Sequence, residues 1–155
     1  MKIVQLKKEK DSATWHFLTK KQNLKNPLVL VFGDRFLLEE EGLFQEIRSL
    51  FPDGHIVFGS SCADITANTV DDNSVTITAV EFEKASFQIR TSNVLNKDFD
   101  SFKTGKALID AFPHDGLKYV FVVSEGSFVN GSQLTKGMNS STNDNLLITG
   151  ALAGD

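Results

Sequence analysis

Four short, nearly continuous apolar runs constrain this chain most: Leu28–Phe32, Ile56–Phe58, Tyr119–Val123 and Leu146–Ile148. Each is rich in Val, Ile, Leu or Phe and is bounded by Gly, Pro, Asp or Asn, the signature of strands covered on both faces. They are expected to be central strands. Between them lie segments of helical period. Leu43, Phe44, Ile47, Leu50 and Phe51 recur at spacings of three and four and stop at Pro52-Asp53-Gly54, while Phe99, Phe102, Ile109 and Phe112 repeat the pattern before Pro113. Both predict amphipathic helices packed on a sheet, the second capped by Asp98 or Ser101. Gly105 costs that helix up to about 1 kcal/mol against Ala, which predicts irregular early turns. A shorter helix is expected over Ser12–Asn23, and another over Gln133–Met138, before a polar loop at Asn139–Asn145.

The stretch Val75–Ile89 has a different period. Val75, Ile77 and Ala79 alternate with Thr76 and Thr78, and Phe87 and Ile89 alternate with Ser86, Gln88 and Arg90, which predicts an antiparallel hairpin turning at Glu83-Lys84-Ala85. The change of phase at Val80 and Phe82 suggests a bulge or a strand buried on both faces. The expected class is α/β (α+β mixed): a mixed β-sheet with one antiparallel hairpin, covered by helices. At 155 residues with 41% hydrophobic side chains, residues 1–155 are expected to form a single domain.

Charge narrows the partners. Sixteen Lys and Arg stand against 20 Asp and Glu, a net charge of −4, which gives no broad attraction for a polyanion, so nucleic acid is not an expected partner. The longest apolar run falls far short of the roughly 18 residues of a membrane helix, and Met1–Lys8 shows neither an apolar core nor a cleavage site of a secretory leader. A cytoplasmic location and no membrane partner are therefore expected. The single Cys62 excludes an internal disulfide and a multi-cysteine zinc site.

Three loops follow apolar strands and carry small residues, and open α/β sheets hold ligands beyond the carboxyl ends of their strands. The first is Gly59-Ser60-Ser61-Cys62-Ala63-Asp64, where hydroxyls and backbone N–H groups suit a carboxylate or phosphate, or where small residues merely serve a tight connection. The second runs Ser124–Ser132; its Asn130-Gly131 pair is a turn signal first and a ligand contact second, and Phe128 is the candidate aromatic pocket wall. The third is Gly150–Asp155, and a strand followed by a glycine-rich ending predicts that the protein continues beyond it.

Taken together, Leu28–Phe32, the Gly59-Ser60-Ser61-Cys62-Ala63 loop with Val70–Thr76 after it, Ser124-Glu125-Gly126 with Asn130-Gly131, and Gly150-Ala151-Leu152-Ala153-Gly154-Asp155 resemble, in order and spacing, the N-terminal half of the FIST domain. Where the family usually shows GCSTAGEI, DGxxxNG and GGLAGD, this chain has GSSCADIT, EGxxxNG and GALAGD, and Asp64-Ile65 replaces the family's Gly-Glu pair. The resemblance implies an intracellular signal-transduction sensor whose ligand is an amino acid or related metabolite. It also implies a C-terminal half of similar size as a partner, and chemotaxis or histidine-kinase signalling proteins downstream.

The expected ligand-binding residues are Ser60, Ser61, Cys62, Asp64, Gly126, Phe128, Asn130, Gly131, Gly150 and Asp155, converging at one sheet edge. Ser60, Ser61 and glycine N–H groups are assigned the anionic end of the ligand, and Asp64, Asn130 or Asp155 the cationic end. Two other readings stay open: a protein-binding module, and an enzyme using Cys62 or Ser61 as nucleophile. Neither His16, His55 nor His114 forms a recognisable arrangement with Cys62 or a metal-ligand spacing, the Glu39-Glu40-Glu41 run is expected as a solvated cap at a helix start, and no phosphate-loop motif is present. No cofactor and no metal are expected.

Overall fold

The computed structural model describes residues 1–66, 69–142 and 146–154. Contacts divide it into two compact units, Met1–Ser86 with Gly154, and Phe87–Ala153.

The first unit is built on a five-stranded mixed sheet. Its strands are β1 (Lys2–Glu9), β2 (His16–Phe17), β3 (Leu28–Gly33), β4 (His55–Ser60) and β7 (Ser74–Glu81), in the order β2-β1-β7-β3-β4. β3 and β4 are parallel, with Val29 opposite Ile56 and Val31 opposite Phe58, whereas β7 runs antiparallel to both β1 and β3. Two helices, α1 (Arg35–Leu38) and α2 (Leu43–Leu50), join β3 to β4. The alternate residues Val29, Val31, Val75, Ile77 and Ala79 are buried against Leu37, Leu43, Ile47 and Phe51. Leu28, Leu30 and Phe32 are only partly buried, so the continuous apolar run of β3 has one fully covered face rather than two. A two-residue ladder, β5 (Asp64–Ile65) with β6 (Val70–Asp71), stands beside this sheet.

Three sequence expectations are corrected here. No hairpin forms over Val75–Ile89, because β1 and β3 already occupy both edges of β7: Thr78 faces Gln5 on one side and Leu30 on the other. Pairing runs without interruption through Val80 to Glu81, so there is no bulge either. Ser12–Asn23 is not a helix; it runs along β1, with Leu6 opposite Phe17, and the Leu18 N–H and Gln22 amide donate to the Gln5 and Ile3 carbonyls. Its backbone groups thus find partners on a strand edge, which a segment with little apolar periodicity does more readily than it buries a helical face. Glu39–Glu41 follow α1 and precede α2 in a turn, and Glu39 pairs with Arg35 at 3.1 Å.

The second unit holds a 3₁₀ turn (Val94–Lys97), α3 (Ser101–Asp110), β8 (Tyr119–Ser124), α4 (Gly131–Asn139) and β9 (Leu147–Leu152). β8 and β9 pair in parallel, and Val120, Val122 and Ile148 join Ile109, Leu134 and Met138 in its core. The cap of α3 is Asp100, whose side chain accepts from the Lys103 N–H, rather than Asp98 or Ser101; Phe99 and Phe112 lie outside the helix. Gly105 sits within regular helix, and its reason is contact: a Cβ there would lie 2.1 Å from the Leu134 carbonyl oxygen, and one at Gly137 would lie 2.0 Å from that of Phe102. The two glycines let the α3 and α4 backbones touch. Of the expected polar loop at Asn139–Asn145, Asn139 ends α4, Ser140 caps it, and 143–145 lie outside the described residues.

Candidate functional site

The loop after β4 begins where the parallel ladder ends. Ser60 is the last residue of β4, opposite Gly33, and the next N–H, that of Ser61, donates to the Gly33 carbonyl at 2.9 Å. Here β7 comes so close that a Cβ on Gly33 would lie 2.6 Å from the Ser74 carbonyl oxygen, which explains a glycine at that end of β3. The chain then turns through Cys62 and Ala63 and enters β5 at Asp64, which pairs with Asp71 of β6.

Asp64 is the centre of this loop. Its side chain is only 3% exposed. The Ser61 hydroxyl donates to one carboxylate oxygen at 2.8 Å, and the Ser74 hydroxyl to the other at 2.9 Å. Burial pushes its carboxyl above the ordinary range, against the opposing pull of the Ser61 and Ser74 bonds and of the Lys7 charge. Lys7, on β1 and 9% exposed, forms ion pairs with Asp71 at 2.8 Å and Glu9 at 3.3 Å. The hydrogen bond that the Lys7 ammonium donates to Asp71 holds the ammonium above its usual pKa, and the same bond holds the Asp71 carboxyl below its own, helped by the Thr69 hydroxyl. Lys7, Asp71 and Ser74 were not singled out from sequence as site residues. Asp71 and Ser74 lie in the Val70–Thr76 motif, but Lys7, in a charged N-terminal strand, gave no signal.

Beside this network a groove of about 610 Å³ opens between the Glu9–Ser12 and Asp71–Asn73 turns, which the Lys10 N–H ties together by donating to the Asn73 carbonyl at 3.0 Å. Glu9, Asp11, Asp71 and Asp72 line it along with Lys7 and Lys10. Four carboxylates against two ammonium groups leave it negative.

Within the first unit, then, the structure gathers Ser60, Ser61, Cys62 and Asp64. Cys62 is exposed. Gly154 joins them: its N–H donates to the Ser60 carbonyl at 3.1 Å, and a Cβ there would lie 2.9 Å from the Cys62 sulfur. Asp155 lies outside the described residues.

In the second unit the candidate residues have visible local duties. The Glu125 carboxylate accepts from the Ser127 N–H at 2.7 Å and the Phe128 N–H at 2.9 Å, closing the turn after β8. Gly126 is required where a Cβ would lie 2.6 Å from the Ala153 carbonyl oxygen. Phe128 is 63% exposed, with its ring 5.7 Å from that of Phe99. Asn130 caps α4 by accepting from the Gln133 N–H at 3.0 Å, and Gly131 is the first residue of that helix. Gly150 lies inside β9 rather than in a loop, at φ +155°, where a Cβ would lie 1.9 Å from the Val122 carbonyl oxygen. Among the described residues no three His, Cys, Asp or Glu side chains gather as a metal site, and no helix is long and apolar enough to cross a membrane.

A family model, the FIST N domain, matches residues 27–155. The chain belongs to the FIST N domain family. This family generally supplies sensor domains of signalling proteins and is not a known enzyme family. The match begins at Pro27, just before β3, and takes in the β3–β4 pair, the Asp64 network with the exception of Lys7, and the whole of the second unit. No curated protein and no solved structure matches the chain significantly.

Proposed function

We propose that this FIST N domain is a small-molecule-sensing module of an intracellular signal-transduction protein, and that its ligand, an amino acid or related metabolite, meets the Ser60–Asp64 loop. One observation carries the reading. Asp64 is buried and braced from two sides, by Ser61 of its own loop and by Ser74 of β7, so the loop that leaves the sheet at Ser60 is held in one shape before any ligand arrives. Preformed loops of this kind at the carboxyl ends of strands are where open sheets bind small polar molecules. The neighbouring groove of mixed charge suits a ligand carrying both signs. Binding rather than turnover is the proposed role, with signalling proteins downstream as the partners that read it.

A thermal-shift panel of amino acids, dipeptides and common metabolites tests the proposal, because a ligand that binds only the folded state raises Tm in proportion to the logarithm of its concentration. The expected result is a concentration-dependent rise for at least one zwitterionic compound, lost in Ser60→Ala/Ser61→Ala. A panel without a hit, or hits indifferent to both serines, would overturn it.

A further inference from the structure

Ser61 has two hydrogen-bond donors, and both are spent inward. Its backbone N–H donates to the Gly33 carbonyl at 2.9 Å, and its hydroxyl to Asp64 Oδ1 at 2.8 Å. The other oxygen of Asp64 takes the Ser74 hydroxyl at 2.9 Å, so each oxygen of the carboxyl group accepts from its own serine hydroxyl. A serine hydroxyl has one proton and two lone pairs. With the proton committed to Asp64, the half-buried Ser61 has only lone pairs to offer a ligand.

The surrounding charge points the same way. Lys7, the one buried cation near the loop among the described residues, is shared between Asp71 and Glu9, which leaves it little attraction for an incoming anion. The adjoining groove carries an excess of carboxylates, with Asp11 and Asp72 exposed on its walls.

We infer that Ser61 is a specificity-determining acceptor that selects a donor group on the ligand, an ammonium above all, so that the cationic end of a zwitterion, not its carboxylate, meets the Ser60–Asp64 loop. This reverses the polarity that the hydroxyl-rich sequence of the loop suggests. It rests on the reading of that loop as ligand-facing and adds which end of the ligand it takes. Asp64, being buried, acts as a positioning residue through Ser61 and not as a ligand contact.

Titration of the amide spectrum with methylammonium chloride and, separately, with sodium acetate at matched ionic strength tests this directly. Methylammonium is expected to move the Ser61, Cys62 and Ala63 amides along saturable curves, and acetate to leave them in place. Ser61→Ala should weaken the methylammonium response about tenfold, as removal of a bond to a charged group does. Ser61→Thr, which keeps the hydroxyl, should retain the response and guards against a folding defect in the alanine variant. A saturable acetate response with none for methylammonium, silence from both ions, or a methylammonium response unchanged in Ser61→Ala would each overturn the inference. Failure of the sensor reading looks different, since there the metabolite panel yields no rise in Tm. If the panel yields hits that are anions lacking any amine, the sensor reading stands and the acceptor role of Ser61 falls.

Discussion

The Ser74 hydroxyl donates to the buried carboxylate of Asp64 at 2.9 Å, tying the loop after β4 to the first residue of β7. Ser74 is itself 1% exposed, so neither partner of this bond has water to fall back on. Removing one partner of a buried hydrogen bond costs about 1–3 kcal/mol, because the other is left unsatisfied. Asp64→Ala is therefore expected to lower stability by that order in urea denaturation, and to speed amide exchange first at Asp64, Ile65, Val70 and Asp71, the β5–β6 ladder. Ser74→Ala should cost less, because Asp64 keeps its bond from Ser61. Binding lost in Asp64→Ala thus reports on the brace as much as on a contact, and the Ser61 variants are the cleaner probe of the ligand.

Two carboxylates of the network should respond to acid in opposite senses. Asp64 is raised by burial, so the folded state holds its proton more tightly than the unfolded chain; its contribution to stability is greatest at low pH and declines as pH climbs above the unfolded value of about 3.9. Asp71 is lowered by the Lys7 bond and then by the Thr69 hydroxyl; its contribution is present above about 3.9 and is lost as pH falls through and below it. Urea denaturation between about pH 3 and pH 7 is expected to show the wild type losing ground against Asp64→Asn as pH rises. Against Asp71→Asn it should lose ground as pH falls. Parallel curves for either pair would show that the variant residue does not titrate differently on folding.

Gly105 and Gly137 bring two energies into opposition. Replacing a helical glycine by alanine gains up to about 1 kcal/mol of propensity. The added methyl would lie 2.1 Å from the Leu134 carbonyl oxygen at position 105, and 2.0 Å from that of Phe102 at position 137. Backbone atoms cannot rotate away as a flexible side chain can, so α3 and α4 must separate, and overpacking of this kind typically costs about 1–3 kcal/mol. Steric cost should win at both sites. Gly105→Ala and Gly137→Ala are each expected to lower Tm, whereas Gly116→Ala, in a turn with no neighbour within 4 Å, should act only through its φ of +76°.

The parts of this fold legible in the sequence are those fixed by local pattern. The apolar runs marked β3, β4, β8 and β9 as strands, although of these only β3 is central, β4 lying at the end of its sheet and β8 and β9 forming a two-stranded one among the described residues. The three-and-four spacing of Leu43, Ile47 and Leu50 marked α2, because burial of one face imposes that period on a helix. What was hidden depends on pairing over distance. The alternation at Phe87 and Ile89 looks like a strand, yet β7 has no vacant edge, and only the register of β1 against β7 reveals it. At the site, the small residues of the Ser60–Asp64 loop were readable, but the direction of its hydrogen bonds was not. That direction follows from Asp64 being buried beside Ser74, ten positions along the chain, and from Lys7 on another strand pairing with Asp71. Gly126 and Gly150 stand among the expected ligand-binding residues, and in the structure a backbone carbonyl comes close to each, that of Ala153 and that of Val122. If Cys62 were a nucleophile, fast alkylation at neutral pH would be its mark. Since it is exposed, native-state alkylation follows from access alone, and labelling no longer separates a nucleophile from an ordinary surface thiol.

Asn130 offers a separation of structural from binding roles that no other candidate in the second unit allows. Its side chain accepts from the Gln133 N–H at 3.0 Å as the cap of α4, and its own N–H donates to the Ser101 hydroxyl at 2.9 Å. Replacing such a cap with alanine costs about 1 kcal/mol, whereas serine and aspartate serve the same position nearly as well as asparagine. Asn130→Ala is therefore expected to lower stability by that order, and Asn130→Asp and Asn130→Ser to lie near wild type. Asparagine differs from both in carrying an amide that donates as well as accepts. If Asn130 only caps the helix, a metabolite that stabilises the wild type will stabilise Asn130→Ser equally once the Tm values are compared at the same ligand concentration. A ligand shift that vanishes in Asn130→Ser, in a protein whose unliganded stability is intact, would mean that the amide reaches the ligand in addition to holding α4.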